Sequence, residues 1–328
     1  MVLSMRYEYP VFRPPSEWKS LIIQATIGCP HNKCGFCDMY KTQKFRLRPL
    51  EEIKKDVELA KELETKLVEK AKLQRCDIRY LAYANGIPWL MDGQVRRIFI
   101  ADSNSLIMDT EELSELVKYI HKTFPGLERV TSYARAKTLV EKPMKDLKKI
   151  YASGLNRLHV GLETGDPDLL KMIRKGVTPE EQIEAGKKAL KAGFDLTEYV
   201  LLGLGGQEYW QQHAIGTAKV LNKINPTWVR VRTLMLRPKT ILYLKMKRGE
   251  FHESTPVEVI KETQLLISNL DCNTEFLSDH NSNYLPLNGH LPEDKSKLLE
   301  YINETLETIR LVPGSDEKLF TTDRSRHL

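Results

Sequence analysis

Residues 28–40 read GCPHNKCGFCDMY and hold three of the chain's five cysteines. Cys34 and Cys37 form a C-x-x-C pair, Cys29 stands just upstream, and His31 lies between. A structural zinc site takes four ligands, usually from two separated pairs. Cys29, His31, Cys34 and Cys37 would have to supply all four from one loop, because Cys76 and Cys272 are isolated. A redox C-x-x-C needs only CGFC and leaves Cys29 without a role. An odd number of thiols argues against a disulfide framework. Three thiolates on one loop suit a cubane iron–sulfur cluster. Three irons each take a cysteine, and the fourth keeps an open position for a small ligand. Spacing alone ranks iron–sulfur ahead of zinc and leaves both standing.

The elements around this loop decide where it sits. Six strand-type runs occur at 20–27, 96–102, 129–134, 157–162, 196–204 and 228–234. Between and after them, apolar residues recur at three-and-four spacing over about 50–72, 110–122, 143–153, 167–174, 179–192, 208–223, 255–270 and 294–310. DTEE at 109–112 and TPEE at 178–181 are helix starts, and Gly154 and Gly193 are helix stops. The alternation predicts an α/β fold with a parallel sheet: a partial or nearly closed (β/α)6 TIM-like barrel with a C-terminal helical extension. In such folds functional groups gather where strands end. The strand ends here carry Cys29, Asp102 and Ser103, Ser132 to Arg135, Glu163, Gly203 to Glu208, and Arg232. The expected organisation is an N-terminal extension (1–18), a core (19–239) with an insertion at 76–95, a covering extension (240–315) and a frayed tail (316–328).

Composition fits a globular chain with a core, at 41% hydrophobic and 29% charged residues. Apolar runs are strand-sized, so no membrane span is expected. The first twenty residues lack a signal-peptide pattern, so a cytoplasmic location with reduced or metal-bound cysteines is expected. The net charge of +6 is spread over amphipathic stretches with interleaved acids. It reads first as solvated helix faces and only second as a nucleic-acid surface.

Taken with GLETGDPDLLKMIRKG (161–176) and EYVLLGLGGQE (198–208), the cysteine loop resembles the radical S-adenosylmethionine (radical SAM) superfamily over roughly residues 18–235. The likeness is to the branch holding elongator-protein-3-like, MiaB-like and coproporphyrinogen-oxidase-like proteins, as a small member without a known substrate. CPHNKCGFC has one residue more in its first gap than the usual C-x-x-x-C-x-x-C. The resemblance implies a [4Fe–4S] cluster on Cys29, Cys34 and Cys37, shielded by Phe36. SAM would be cleaved reductively to a 5′-deoxyadenosyl radical that takes hydrogen from an unidentified substrate, with an electron donor such as flavodoxin or ferredoxin.

By position, Asp102 and Ser103 stand where the family's SAM-ammonium turn lies, with a helix-capping turn as the alternative. Ser132 points out of its strand end, and Arg135 would meet a carboxylate. Glu163 would accept from the ribose or the ammonium unless it only caps the next helix. Lys175, and after it Arg174, would face the SAM carboxylate, and Gly203 and Gly205 would flank the adenine. Arg232 faces cofactor or substrate, or pairs with Glu198. His280 and Tyr284, in the polar loop 278–292, are candidates for proton transfer. Cys76 and Cys272 are too far apart for an auxiliary cluster. Two rivals remain: a zinc-containing nucleic-acid-binding protein, and a cluster-bearing electron carrier without SAM chemistry.

Overall fold

The computed structural model describes residues 5–311, so the tail expected at 316–328 lies outside the described residues. Along the chain run β1 (Leu21–Gln24), β2 (Thr26–Ile27), β3 (Arg46–Leu47), α1 (Leu50–Leu73), α2 (Ile78–Ala84), β4 (Arg97–Ala101) and α3 (Thr110–Thr123). Then come β5 (Arg129–Ala134), α4 (Ala136–Glu141), α5 (Met144–Ala152), β6 (Leu155–Glu163), α6 (Pro167–Met172), α7 (Pro179–Ala192), β7 (Asp195–Leu202) and α8 (Gly206–Ile224). The last elements are β8 (Trp228–Thr233), α9 (Ile241–Lys247), α10 (Pro256–Asn269), β9 (Thr274–Leu277), β10 (Asn288–Leu291) and α11 (Lys295–Leu311).

The chain divides into two compact units. Among the described residues, the first holds Met39–His159, with residues 5–32 and Lys191–Asp195; the second holds Lys33–Asp38, Val160–Leu190 and residues 196–311. Strand order is β1-β4-β5-β6 in the first and β6-β7-β8-β9-β10 in the second, with β6 running through both, so the strands make one eight-stranded sheet. Pairing is parallel from β1 through β4 to β5 and from β7 through β8 to β9; the final β9–β10 pair is antiparallel. The sheet is open, with β1 and β10 at its ends. Buried, β-branched strands such as Arg97–Ala101 are what a parallel sheet covered on both faces requires.

Helix ends follow local chemistry. Asp109 accepts from the Glu111 and Glu112 amides at the start of α3, Asp166 from the Asp168 and Leu169 amides at α6, and Thr255 and Glu258 close a capping box on α10. Two sequence expectations are corrected. The run 20–27 breaks at Ala25: β1 stays in the main sheet, while β2 turns away to pair with β3. The stretch read as a polar loop through 292 carries β10, and β9 precedes it, so the sheet has strands beyond the six. Four-residue strands with a polar register partner have too little periodicity to be read. The pairing of β9 with β8, and of β10 with β9, makes them. The 76–95 segment folds as α2 followed by a short turn that buries Trp89 and Leu90. No helix among the described residues is long and apolar enough to cross a membrane.

Each unit has its own core. In the first, Ile22, Phe99 and Ala101 pack with Tyr7, Val11 and Tyr133. Within it Glu17 is fully buried, and its carboxylate accepts from Arg129 Nη2 at 3.0 and 3.1 Å, from the Ser20 hydroxyl, and from His159 Nε2 at 3.5 Å. Burial alone would raise the Glu17 pKa; the hydrogen bonds from His159 and Ser20 and the Arg129 charge overcome it and hold the carboxyl at about 2. In the second unit, Ile173, Leu204, Leu234, Leu242 and Phe251 form an apolar cluster.

Candidate functional site

The cysteine loop is built differently in its two parts. In the first unit, Asp102 lies at the end of β4 and accepts the Gly28 amide at 3.2 Å, while the Ser103 hydroxyl donates to the Gly28 carbonyl at 2.9 Å. Cys29 therefore follows a residue held on both its backbone groups, and its Sγ accepts the Asn32 amide at 3.4 Å. The turn at Asp102 is not a helix cap, since Asp109 fills that role. Asp102 is fully buried, and its Oδ1 has no hydrogen-bond partner. Desolvation lifts its pKa to about 7, against the bond from the Gly28 amide.

A carboxyl with a raised folded pKa binds its proton more tightly folded than unfolded. Stability therefore falls as pH rises from about 4 toward 7 and stays low above it. Asp102→Asn should remove that slope and be more stable than the parent at pH 8, as measured by denaturant unfolding across pH 4–8.

In the second unit, the CGFC stretch is stitched to two neighbours: the Gly35 amide donates to the Ile173 carbonyl at 2.7 Å, and the Leu242 amide donates to the Gly35 carbonyl at 2.9 Å. Phe36 packs against the cluster around Ile173 and Leu242, which anchors the stretch. Cys29, Cys34 and Cys37 are partly exposed, and none is in a disulfide. Among the described residues no three His, Cys, Asp or Glu side chains converge as a metal-holding group. A soft, all-thiol donor set on one loop matches an iron–sulfur cluster, and thiolates that repel one another gather only around their metal.

The turn after β6 is the most constrained piece of the second unit. Glu163 takes a φ of 64°, a left-handed conformation that costs a non-glycine residue on the order of 1 kcal/mol. Its carboxylate folds back over Gly161, where a Cβ would lie 2.3 Å from Oε1, and accepts from Lys175 Nζ at 2.8 Å. The Lys175 ammonium also sits 5.9 Å from the Phe36 ring centroid. Glu163 is no helix cap: Asp166 caps α6. Arg174 also takes a left-handed φ, 54°, which turns the chain after α6. At the end of β7, Gly203 takes a φ of 77°, and Gly205 stands at the start of α8.

Other expected residues are placed less simply. Ser132 does not point out of its strand end: it is fully buried, with its hydroxyl 3.2 Å from the Ile100 carbonyl. Arg135 stands at the start of α4, its amide donating to Asn104. Arg232 does not pair with Glu198. Glu198 registers with Val229, three residues from Arg232, and that odd separation puts the two side chains on opposite faces of the sheet. Arg232 Nη2 instead donates to His280 Nε2 at 2.7 Å, and Arg230 pairs with Asp279 at 3.0 Å, which clips the following loop to β8. Tyr284 lines a small crevice with Thr233, Val259 and Asn283.

Three acidic or basic groups went unread as site components. Glu198 is buried with Oε2 lacking a partner, and desolvation raises its pKa well above the usual carboxylate range, offset in part by Lys175. His213 and Glu262 are buried and hydrogen-bonded to each other. A polar residue on the apolar face of a helical pattern was the only available signal for them.

The family model for the radical SAM superfamily matches residues 90–215, a span that begins after the cysteine loop and runs from ahead of β4 into α8. Over that span, less than half of its length, the chain is similar to the radical SAM superfamily. The cofactors of radical SAM proteins, a [4Fe–4S] cluster and SAM, are those the thiol set calls for. Among curated proteins, the heme chaperone HemW of Bacillus subtilis (strain 168) is 24% identical over 179 residues, covering 54% of this chain and 46% of that protein. HemW of Buchnera aphidicola subsp. Schizaphis graminum is 24% identical over 223 residues, covering 65% and 50%. The chain spans about half the length of these relatives. Among solved structures, the radical SAM methyltransferase TsrM from Kitasatospora setae, with cobalamin and a [4Fe–4S] cluster bound, aligns at a TM-score of 0.54 with 14% identity, over 91% of this chain and 65% of that one. Coproporphyrinogen III oxidase (HemN) from Escherichia coli aligns at 0.50 with 17% identity, over 76% and 52%. These likenesses are of fold, and they match the open, mostly parallel sheet described above.

Proposed function

We propose that this chain is a radical SAM enzyme in which Cys29, Cys34 and Cys37 hold the cluster, and Glu163, with Lys175 and the Gly203 turn, orients SAM. The observation that carries the reading is the Glu163 turn: a strained, half-buried carboxylate at a strand end, already engaged with an ammonium group. A reduced cluster held by Cys29, Cys34 and Cys37 would supply the electron for reductive cleavage of the SAM carbon–sulfur bond. The chain's own residues bind, orient and exclude water. As an ionised carboxylate, Glu163 only accepts hydrogen bonds, which suits ribose hydroxyls or the methionyl ammonium. Lys175 supplies a cation for the SAM carboxylate, and Phe36 covers the CGFC stretch with apolar surface. Arg232 and His280 are proposed to face the substrate, with flavodoxin or ferredoxin as electron donor.

Anaerobically reconstituted protein, given SAM and dithionite, should release 5′-deoxyadenosine. A charge-assisted hydrogen bond is worth about 1.5–3 kcal/mol, so Glu163→Gln should weaken SAM binding by roughly 10- to 100-fold while iron content is unchanged. A loaded cluster with no deoxyadenosine would point to the electron carrier, and one zinc without iron or sulfide to the zinc reading.

A further inference from the structure

Helix α8 and helix α10 carry a buried pair whose bonds all lead to the two strand-end turns just described. His213 on α8 and Glu262 on α10 are almost wholly buried, at 1% and 0% exposure, and share a short hydrogen bond through His213 Nδ1. The other imidazole nitrogen, Nε2, donates to the Glu163 carbonyl at 3.0 Å. The other carboxylate oxygen of Glu262 accepts the Gly203 amide at 2.9 Å. One continuous chain of hydrogen bonds therefore runs from the Glu163 carbonyl through both side chains to the Gly203 amide.

Both ends of that chain are residues with a left-handed backbone. A helical turn beyond His213, the Thr217 hydroxyl accepts the Gly165 amide at 3.0 Å. Gly165 lies so close to α8 that a Cβ there would stand 2.4 Å from the Gly216 carbonyl oxygen. One face of α8 thus fixes the Glu163 turn at several points. A buried ion pair is costly to desolvate and is poorly explained by stability alone. A pair bridging two functional turns sets the distance between them.

We propose that His213 and Glu262 are positioning residues for SAM, fixing the Glu163 and Gly203 turns in register so that one molecule meets both. This rests on the reading of the Glu163 turn given above. Glu262→Gln can keep all three bonds: its amide oxygen accepts from Gly203, and its amino group donates to a neutral His213 that still donates to Glu163. His213→Phe breaks the chain of bonds, and Glu262→Asp is one methylene too short to span it.

The first readout needs no cofactor. In the cluster-free protein, hydrogen exchange of the Gly203 amide should speed up at least roughly tenfold in His213→Phe and Glu262→Asp and much less in Glu262→Gln, which keeps a neutral bond to that amide. The second is SAM affinity in reconstituted protein of equal iron content, which should fall at least roughly tenfold in the same two variants and recover in Glu262→Gln. The milder Glu262→Asp carries the test if His213→Phe does not fold. Unchanged exchange, or SAM binding as tight as the parent's in both variants, overturns the positioning role. If the parent itself binds no SAM, the underlying reading of the turn fails instead.

Discussion

Cys29→Ala, Cys34→Ala and Cys37→Ala should each leave a folded chain that cannot retain its cluster. A [4Fe–4S] cubane held by three protein thiolates has no spare ligand: losing one exposes a second iron and destabilises the assembly. Iron and sulfide per chain should drop well below the parent's. Release of 5′-deoxyadenosine should fall on the order of a thousandfold, to the background of the uncatalysed reductant. Far-UV circular dichroism should be unchanged, because the three thiols are partly exposed. Cys76→Ala and Cys272→Ala serve as internal controls and should load normally. Cys272 is buried, and burial pushes its thiol up to about 11, which makes it inert as a ligand. Retention of a full cluster by any of the first three variants would remove that cysteine from the ligand set.

Glu17→Gln should strongly destabilise the first unit. The carboxylate is wholly buried and faces Arg129 and His159. Neutralising it leaves the Arg129 charge without its counter-ion. A pKa held at about 2 against an ordinary 4.5 corresponds to roughly 3 kcal/mol at neutral pH. The sign follows from the direction of the shift: the contribution is present above about pH 4.5 and lost as pH falls toward 2. Denaturant unfolding at pH 7 should therefore show a large loss in Glu17→Gln, and the parent and variant curves should approach one another near pH 2. A loss that does not shrink on acidification would assign the effect to packing, not charge.

Much of the architecture was legible because helices and parallel strands write strong periodic signals. The cap residues Asp109 and Thr178, and the apolar stripes of α1 and α3, mark their elements directly. The end of β6 could be read because polar residues interrupt a buried run where a loop must begin. What could not be read depends on pairing across the sheet. Arg232 and Glu198 look like partners on neighbouring strands until the register Glu198–Val229 sets them on opposite faces. Ser132 looks like a mouth residue until the Ile100 carbonyl lies within reach of its hydroxyl. His213 and Glu262 are far apart in sequence on two separate helices, and only the packing of α8 on α10 brings them together. Strand β9 exists because β8 offers it a free edge.

The final strand has a consequence for how copies of this chain behave toward each other. β10 is four residues long, stands at the margin of the sheet, and is followed at once by Pro292. Its His290 lies between Glu275 and Glu293, so ionisable groups crowd the rim where an incoming chain would add. A short, charged ribbon stopped by proline is a poor template for backbone docking. The antiparallel hairpin thus ends the sheet in a margin that resists growth by strand addition from a neighbouring molecule.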